Sequence, residues 1–164
     1  MEGNLCCGVS DTFDNTQEFN IFVDPSAAAR VLASLPPGGM TFVPLDATNF
    51  VRIEEALIDR LVQSARTPEG EIVAGIAQRL TPGGTLYWWD PLSAVAAIHP
   101  DVVTYELLGV TVIEDGPSAG RTAIGPAGQT AYVATWASRE EFERIFLDTL
   151  DDGRAASAEP GGVP

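Results

Sequence analysis

Three observations predict an α/β fold built on an open, mostly parallel sheet flanked by helices. Segments with buried-strand character alternate with segments of helical periodicity along most of the chain, the pattern of strand-helix units. The helical segments open on capping signals and stop at Gly/Pro clusters, so the alternation has punctuation as well as period. At 164 residues the chain is long enough for one domain with a core of its own.

Asn4 to Val9 reads as a short apolar strand, and Ser10 to Thr16 as a connecting loop rich in Asp, Asn and Thr. In Gln17 to Val23 the residues Phe19, Ile21 and Val23 alternate like the buried face of an extended segment, with Glu18 and Asn20 on its other face. Asp24 caps a helix that has Pro25 in its first position, runs through the alanines to about Ser34 and ends at Leu35-Pro36-Pro37-Gly38-Gly39. Met40 to Leu45 reads as a buried strand. Thr48 or Asn49 can cap the next helix, where Ile53, Leu57, Ile58, Leu61 and Val62 share a face. Glu69 to Leu80 repeats that pattern until Thr81-Pro82-Gly83-Gly84 breaks it. Ser138, with Glu141 three residues on, makes a capping box for a last helix whose Phe142, Ile145, Phe146 and Leu150 form an apolar core stripe. One domain over residues 1–150 is therefore expected. Asp151 to Pro164, acidic and then rich in Gly, Ala, Ser and Pro, is expected to be a disordered tail.

The formal charge of −14, with no Lys/Arg cluster to neutralise phosphates, excludes nucleic acid and anionic membrane surfaces as partners. No apolar stretch approaches the roughly 20 residues of a membrane span, and the start lacks a signal-peptide pattern. The two cysteines, Cys6 and Cys7, are adjacent, a spacing ill suited to a structural disulfide and half of a metal site at most. They read as reduced strand residues of a cytoplasmic protein. The Gly38-Gly39 and Gly83-Gly84 pairs are loop punctuation, since no Lys-Ser/Thr follows either of them.

An acid and an amide two residues apart on extended backbone point the same way, so Glu18 and Asn20 can grip a polyol such as a sugar. A solvated strand edge or a helix cap explains them as well. A second segment, Tyr87-Trp88-Trp89-Asp90-Pro91-Leu92-Ser93-Ala94-Val95-Ala96, follows downstream. Together the two segments resemble the inosine-uridine type nucleoside hydrolases, in which E-F-N-I-x-x-D-P-x-A-A precedes x-x-D-P-x-A-V-A. Between them, Phe42-Val43-Pro44-Leu45-Asp46-Ala47-Thr48-Asn49 looks like that family's G-L-D-V-T strand end. Val110 to Val112, Arg121-Thr122 and Tyr132 to Ala134 resemble its C-terminal strands.

The resemblance implies a partial domain of that fold, matching its C-terminal half, with a C-terminal β-hairpin region before the final helix. It implies hydrolysis of ribonucleosides to ribose and free base, in purine and pyrimidine nucleoside catabolism. It also implies a calcium ion, with Asp90 as metal ligand and ribose contact. Glu18 takes the place of the acid that holds the 5′-hydroxyl, Asn20 that of the amide near the 2′-hydroxyl, and Asn15 that of a further sugar-binding asparagine, at a shorter spacing than the family's. Trp89 stands where the family often has a histidine; indole is no acid at neutral pH but its face can stack on a base. The family's D-x-D-x-x-x-D-D cluster, which holds calcium and supplies the catalytic base, is expected upstream; Asp11 and Asp14 read as turn residues.

Other readings of the same residues stay open. Asp90 also fits a helix N-cap before Pro91, Trp88 and Trp89 also fit core filling, and His99 fits a helix C-terminus better than a catalyst. For the whole chain the alternatives are an N-ribohydrolase completed by an N-terminal half, a non-catalytic half-domain that binds ribose or pairs with another copy or protein, and a degenerate fragment. The sugar-facing residues of the first two would gather at the carboxyl ends of the strands.

Overall fold

The computed structural model describes residues 17–80 and 86–152. The expected strand Asn4 to Val9 with its cysteines, the Ser10 to Thr16 loop with Asn15, the Thr81 to Gly84 break and the tail beyond Asp152 lie outside these residues. The chain falls into two units, one of residues 1–47 and 104–136, the other of residues 48–103 and 137–164.

The first unit holds the sheet. Helices α1 (Phe19–Val23) and α2 (Pro25–Ser34) precede strand β1 (Thr41–Phe42) and the short turn of helix α3 (Leu45–Thr48). Strands β2 (Val103–Val112), β3 (Thr122–Ile124) and β4 (Gln129–Ala137) follow much later, and the sheet order is β1-β4-β2-β3. β1 pairs parallel with β4, Thr41 facing Tyr132 and Phe42 facing Val133. β2 and β3 form an antiparallel hairpin with Val110 opposite Ile124. The expected α/β class with an open sheet and helices is what the structure holds. Its sheet is mixed, because the C-terminal strands pair through a hairpin and only β1 arrives through helical crossovers.

Leu32 of α2 is buried against Val110 of β2 and Ala131 and Val133 of β4, with Met40, Phe42, Leu108 and Val112 packed around them. The α2 boundaries are those that Asp24 and Pro25 dictate: the Asp24 carboxylate accepts the Ala27 N–H at 2.8 Å. β1 is shorter than the expected Met40 to Leu45, because Pro44 lacks an N–H for a ladder and Leu45 already starts α3.

The second unit is helical: α4 (Glu55–Ser64), α5 (Pro68–Ala77), α6 (Trp89–Ile98), a 3₁₀ turn at Pro100–Val102 and α7 (Arg139–Asp152). Leu57, Ile58 and Leu61 of α4, Leu92 and Val95 of α6, and Phe142 of α7 are buried in its core. Helix α4 begins later than a cap at Thr48 or Asn49 would place it. The intervening backbone is used elsewhere, since Arg52 bridges Tyr87 and Ile53 N–H donates to Leu86 C=O at 3.1 Å. Thr67 caps α5 by accepting the Gly70 N–H, and its hydroxyl donates to Leu150 C=O on α7 at 2.6 Å. A Cβ at Gly70 would collide with that same carbonyl. Ser138 Oγ accepts the Glu141 N–H at 3.3 Å, half of the expected capping box; the Glu141 carboxylate turns instead to Arg144. α7 continues two residues past the expected end at Leu150.

Candidate functional site

The extended reading of Glu18 to Val23 is overturned. Residues 19–23 form the five-residue helix α1, and Glu18 is its N-terminal flanking residue with extended backbone. Too short to show a 3.6-residue period, the segment is set by tertiary contacts: Glu18 N–H donates to Gly120 C=O at 3.2 Å, and Gly120, at φ +87°, lies against Phe22 so closely that a Cβ has no room. With Glu18 outside α1 and Asn20 in its first turn, the two do not lie on one extended run, and the common strand face expected for them does not form.

Glu18 is half-buried, and its Oε1 accepts the backbone N–H of Leu45, at the start of α3, at 3.0 Å. Neither alternative for this residue describes that bond: the carboxylate caps α3, 27 residues away in sequence, and not its own helix. Asn20 is exposed. Gln17, which no sequence motif singles out, is buried with its amide Nε2 donating to Ala119 C=O at 2.7 Å. No local signal marks it, since its partner lies 102 residues away. Asn15 is outside the described residues.

Trp89 and Asp90 belong to the second unit, as the first two residues of α6. Trp88 occupies the N-cap position with no side-chain capping bond, so Asp90 is not the N-cap. Its carboxylate is exposed, stands in the first helical turn where the dipole favours an anion, and makes no hydrogen bond or ion pair among the described residues. The backbone here is anchored by Trp88 N–H donating to Val51 C=O at 2.9 Å. Trp88 is core, its ring 5.4 Å from that of Phe146. Trp89 is half-buried, 6.0 Å from the Tyr87 ring, with its indole N–H enclosed and without a hydrogen-bond partner among the described residues. His99 ends α6, its N–H donating to Val95 C=O, as its position in the sequence suggests.

Among the described residues no group of three or more His, Cys, Asp or Glu side chains is placed to hold a metal ion. Calcium takes six to eight oxygens; Asp90 offers the right donor chemistry for one of those positions, and the described residues alone do not make the rest. No described helix is long and apolar enough to cross a membrane.

The family model described as inosine-uridine preferring nucleoside hydrolase matches residues 1–148. Nucleoside hydrolase 4 of Arabidopsis thaliana is 28% identical over 151 residues, which are 91% of this chain and 24% of that protein. The inosine-uridine preferring nucleoside hydrolase of Bacillus anthracis shares the fold with a TM-score of 0.71 at 21% identity, over 88% of this chain and 48% of that one. A purine-preferring ribonucleoside hydrolase of Gardnerella vaginalis gives a TM-score of 0.64 at 26% identity, over 87% of this chain and 48% of that one. The chain spans about half the length of these solved relatives.

Proposed function

This chain belongs to the inosine-uridine preferring nucleoside hydrolase family, and we propose that it contributes sugar, base and metal contacts to the hydrolysis of ribonucleosides. The observation that carries this reading is the family match over residues 1–148, which spans both the Glu18-Phe19-Asn20 and the Trp89-Asp90-Pro91 motifs. In the reaction the bond from the ribose anomeric carbon to the base nitrogen breaks, its electron pair leaves with the base, and water supplies the new C–O bond. Positive charge grows on the sugar, so anionic and dipolar groups around the ring lower the barrier. Glu18 and Asn20 hold ribose hydroxyls, Asn15 adds a further sugar contact, and Trp89 stacks its face on the base.

Asp90 serves as one carboxylate ligand of a calcium ion and contacts a ribose hydroxyl. The other ligands and the base that activates water come from an aspartate cluster outside residues 1–164. The setting proposed is cytoplasmic nucleoside catabolism, consistent with adjacent cysteines that read as reduced.

The test is ribose release from inosine and uridine with calcium present. It is run on the chain alone and on the chain fused behind the unmatched portion of the Bacillus anthracis enzyme. Hydrolysis by the fused protein that Asp90→Ala lowers by at least about 100-fold is expected, the scale of a lost electrostatic contact in a transition state. A folded fusion without hydrolysis would contradict the reading. It would favour the second one, a non-catalytic ribose-binding or pairing half-domain, whose support is the half-length match to the solved relatives.

A further inference from the structure

The connection between β2 and β3, residues 113–121, is longer than an ordinary hairpin loop of two to five residues. Its extra length reaches α1 and α2. The Gln17 amide donates to Ala119 C=O at 2.7 Å, Glu18 N–H to Gly120 C=O at 3.2 Å, and Ser26 Oγ to a Glu114 carboxylate oxygen at 2.8 Å. The connection is also braced within itself. Gly120 N–H donates to Ile113 C=O and Ile113 N–H to Arg121 C=O, both at 2.9 Å, and the Arg121 guanidinium donates to Pro117 C=O at 3.2 Å.

Gln17 and Arg121 are the two largest fully buried polar side chains among the described residues. Burying such groups costs free energy unless they are bonded, and their bonds then fix one arrangement. What this arrangement fixes is Glu18. Its N–H is held by Gly120, its C=O accepts from Ile21 at 3.0 Å and Phe22 at 2.8 Å, and its carboxylate accepts the Leu45 N–H at 3.0 Å. Of the side-chain bonds from this connection to the two helices, that between Ser26 and Glu114 is exposed, where water competes for it. The tie is therefore carried by the enclosed amide of Gln17, one residue before Glu18.

We propose that Gln17 is a positioning residue for the sugar contact: through Ala119 it holds the β2–β3 connection against α1, and so sets where Glu18 presents its carboxylate. At 1% exposure Gln17 does not itself reach a substrate. The inference rests on the reading of Glu18 as a ribose contact and adds the element that aims it. Aim matters, because a displacement of about 1 Å at a reacting site can cost about 100-fold in rate.

The test is Gln17→Met, which keeps the length of the side chain and removes the amide. In hydrogen exchange read by NMR on the full chain, the Glu18 and Leu45 amides are expected to exchange about ten-fold faster or more. The Tyr132 amide, bonded to Met40 C=O in the same unit, keeps its rate. In the fusion that tests the proposed function, kcat/KM for inosine is expected to fall about ten-fold in Gln17→Met. Made on top of Glu18→Ala, the same substitution should lower it no further, the mark of two residues acting through one contact. Gln17→His, whose Nε2–H is again a donor, should restore most of both losses. Unchanged exchange at Glu18 and Leu45 would overturn the proposal. Faster exchange at Tyr132 as well, or an equal loss of kcat/KM with and without Glu18, would also overturn it by leaving Gln17 a purely structural role. Hydrolysis that Glu18→Ala leaves unchanged would remove the ribose contact and the inference with it. That failure is told apart by exchange at Glu18 and Leu45, which still responds to Gln17→Met.

Discussion

Glu18 and Asp90 carry the same functional group in opposite circumstances. The Glu18 carboxylate accepts the Leu45 N–H from a half-buried position, whereas Asp90 is exposed and makes no hydrogen bond or ion pair among the described residues. Glu18→Ala should therefore cost about 1 kcal/mol of stability, the usual worth of one net hydrogen bond. Asp90→Ala should cost less than about 0.5 kcal/mol. Paired thermal melts check both values. The difference matters for function, because a loss of calcium or sugar binding in Asp90→Ala can then be read without a folding correction. At this scale the motifs mark both residues, and the structure removes the reading of Asp90 as an N-cap, since Trp88 holds that position. Gln17 is illegible in sequence: a buried amide bonded to the Ala119 carbonyl leaves no trace in its own neighbourhood.

Elements whose ends are chemically marked are legible, and those fixed by distant contacts are not. α2 starts and stops where Asp24, Pro25 and the following prolines place it, and Asp24→Ala should cost about 1 kcal/mol in a denaturant melt through loss of that cap. α1 reads as extended because three alternating apolar residues carry the strand signal, while five residues cannot display a helical one. The contacts of Gly120 with Glu18 and Phe22 decide it. A cap at Thr48 or Asn49 starts α4 too early because backbone pairing between residues 51–53 and 86–88 competes for the intervening segment. Gly70 shows a similar competition inside α5. Alanine there gains about 1 kcal/mol of helix propensity, yet its Cβ would meet the Leu150 carbonyl of α7, a backbone atom that cannot swing aside. The clash should prevail, so Gly70→Ala is expected to destabilise by about 1 kcal/mol or more net, measurable as a lower melting temperature.

For the whole molecule, the alternation of strands and helices identifies the class, while strand order lies beyond it: alternation does not say that β3 folds back on β2 or that β4 inserts between β1 and β2. Acid response is a property at this scale too. The Arg139 guanidinium, bonded to both Glu54 and Glu143, holds the Glu54 carboxyl below its usual range. A carboxyl lowered on folding stabilises the folded state above its unfolded value near 4.5, and that contribution is lost as pH falls through the lower folded value. With both side chains about 40% exposed, solvent screening limits it to less than about 1 kcal/mol. Glu54→Gln should accordingly flatten the loss of stability below pH 4.5 and leave that between pH 6 and 8 without slope of its own, as followed by urea melts across pH.

The measurement that bears most directly on the proposed role is titration calorimetry of calcium and ribose into the chain fused behind the unmatched portion of the Bacillus anthracis enzyme, with Asp90→Ala and Glu18→Ala beside it. Calcium binding that disappears in Asp90→Ala, together with ribose binding that weakens in Glu18→Ala, is the predicted result. Heats that are absent from the folded fusion, or that both substitutions leave unchanged, would contradict it.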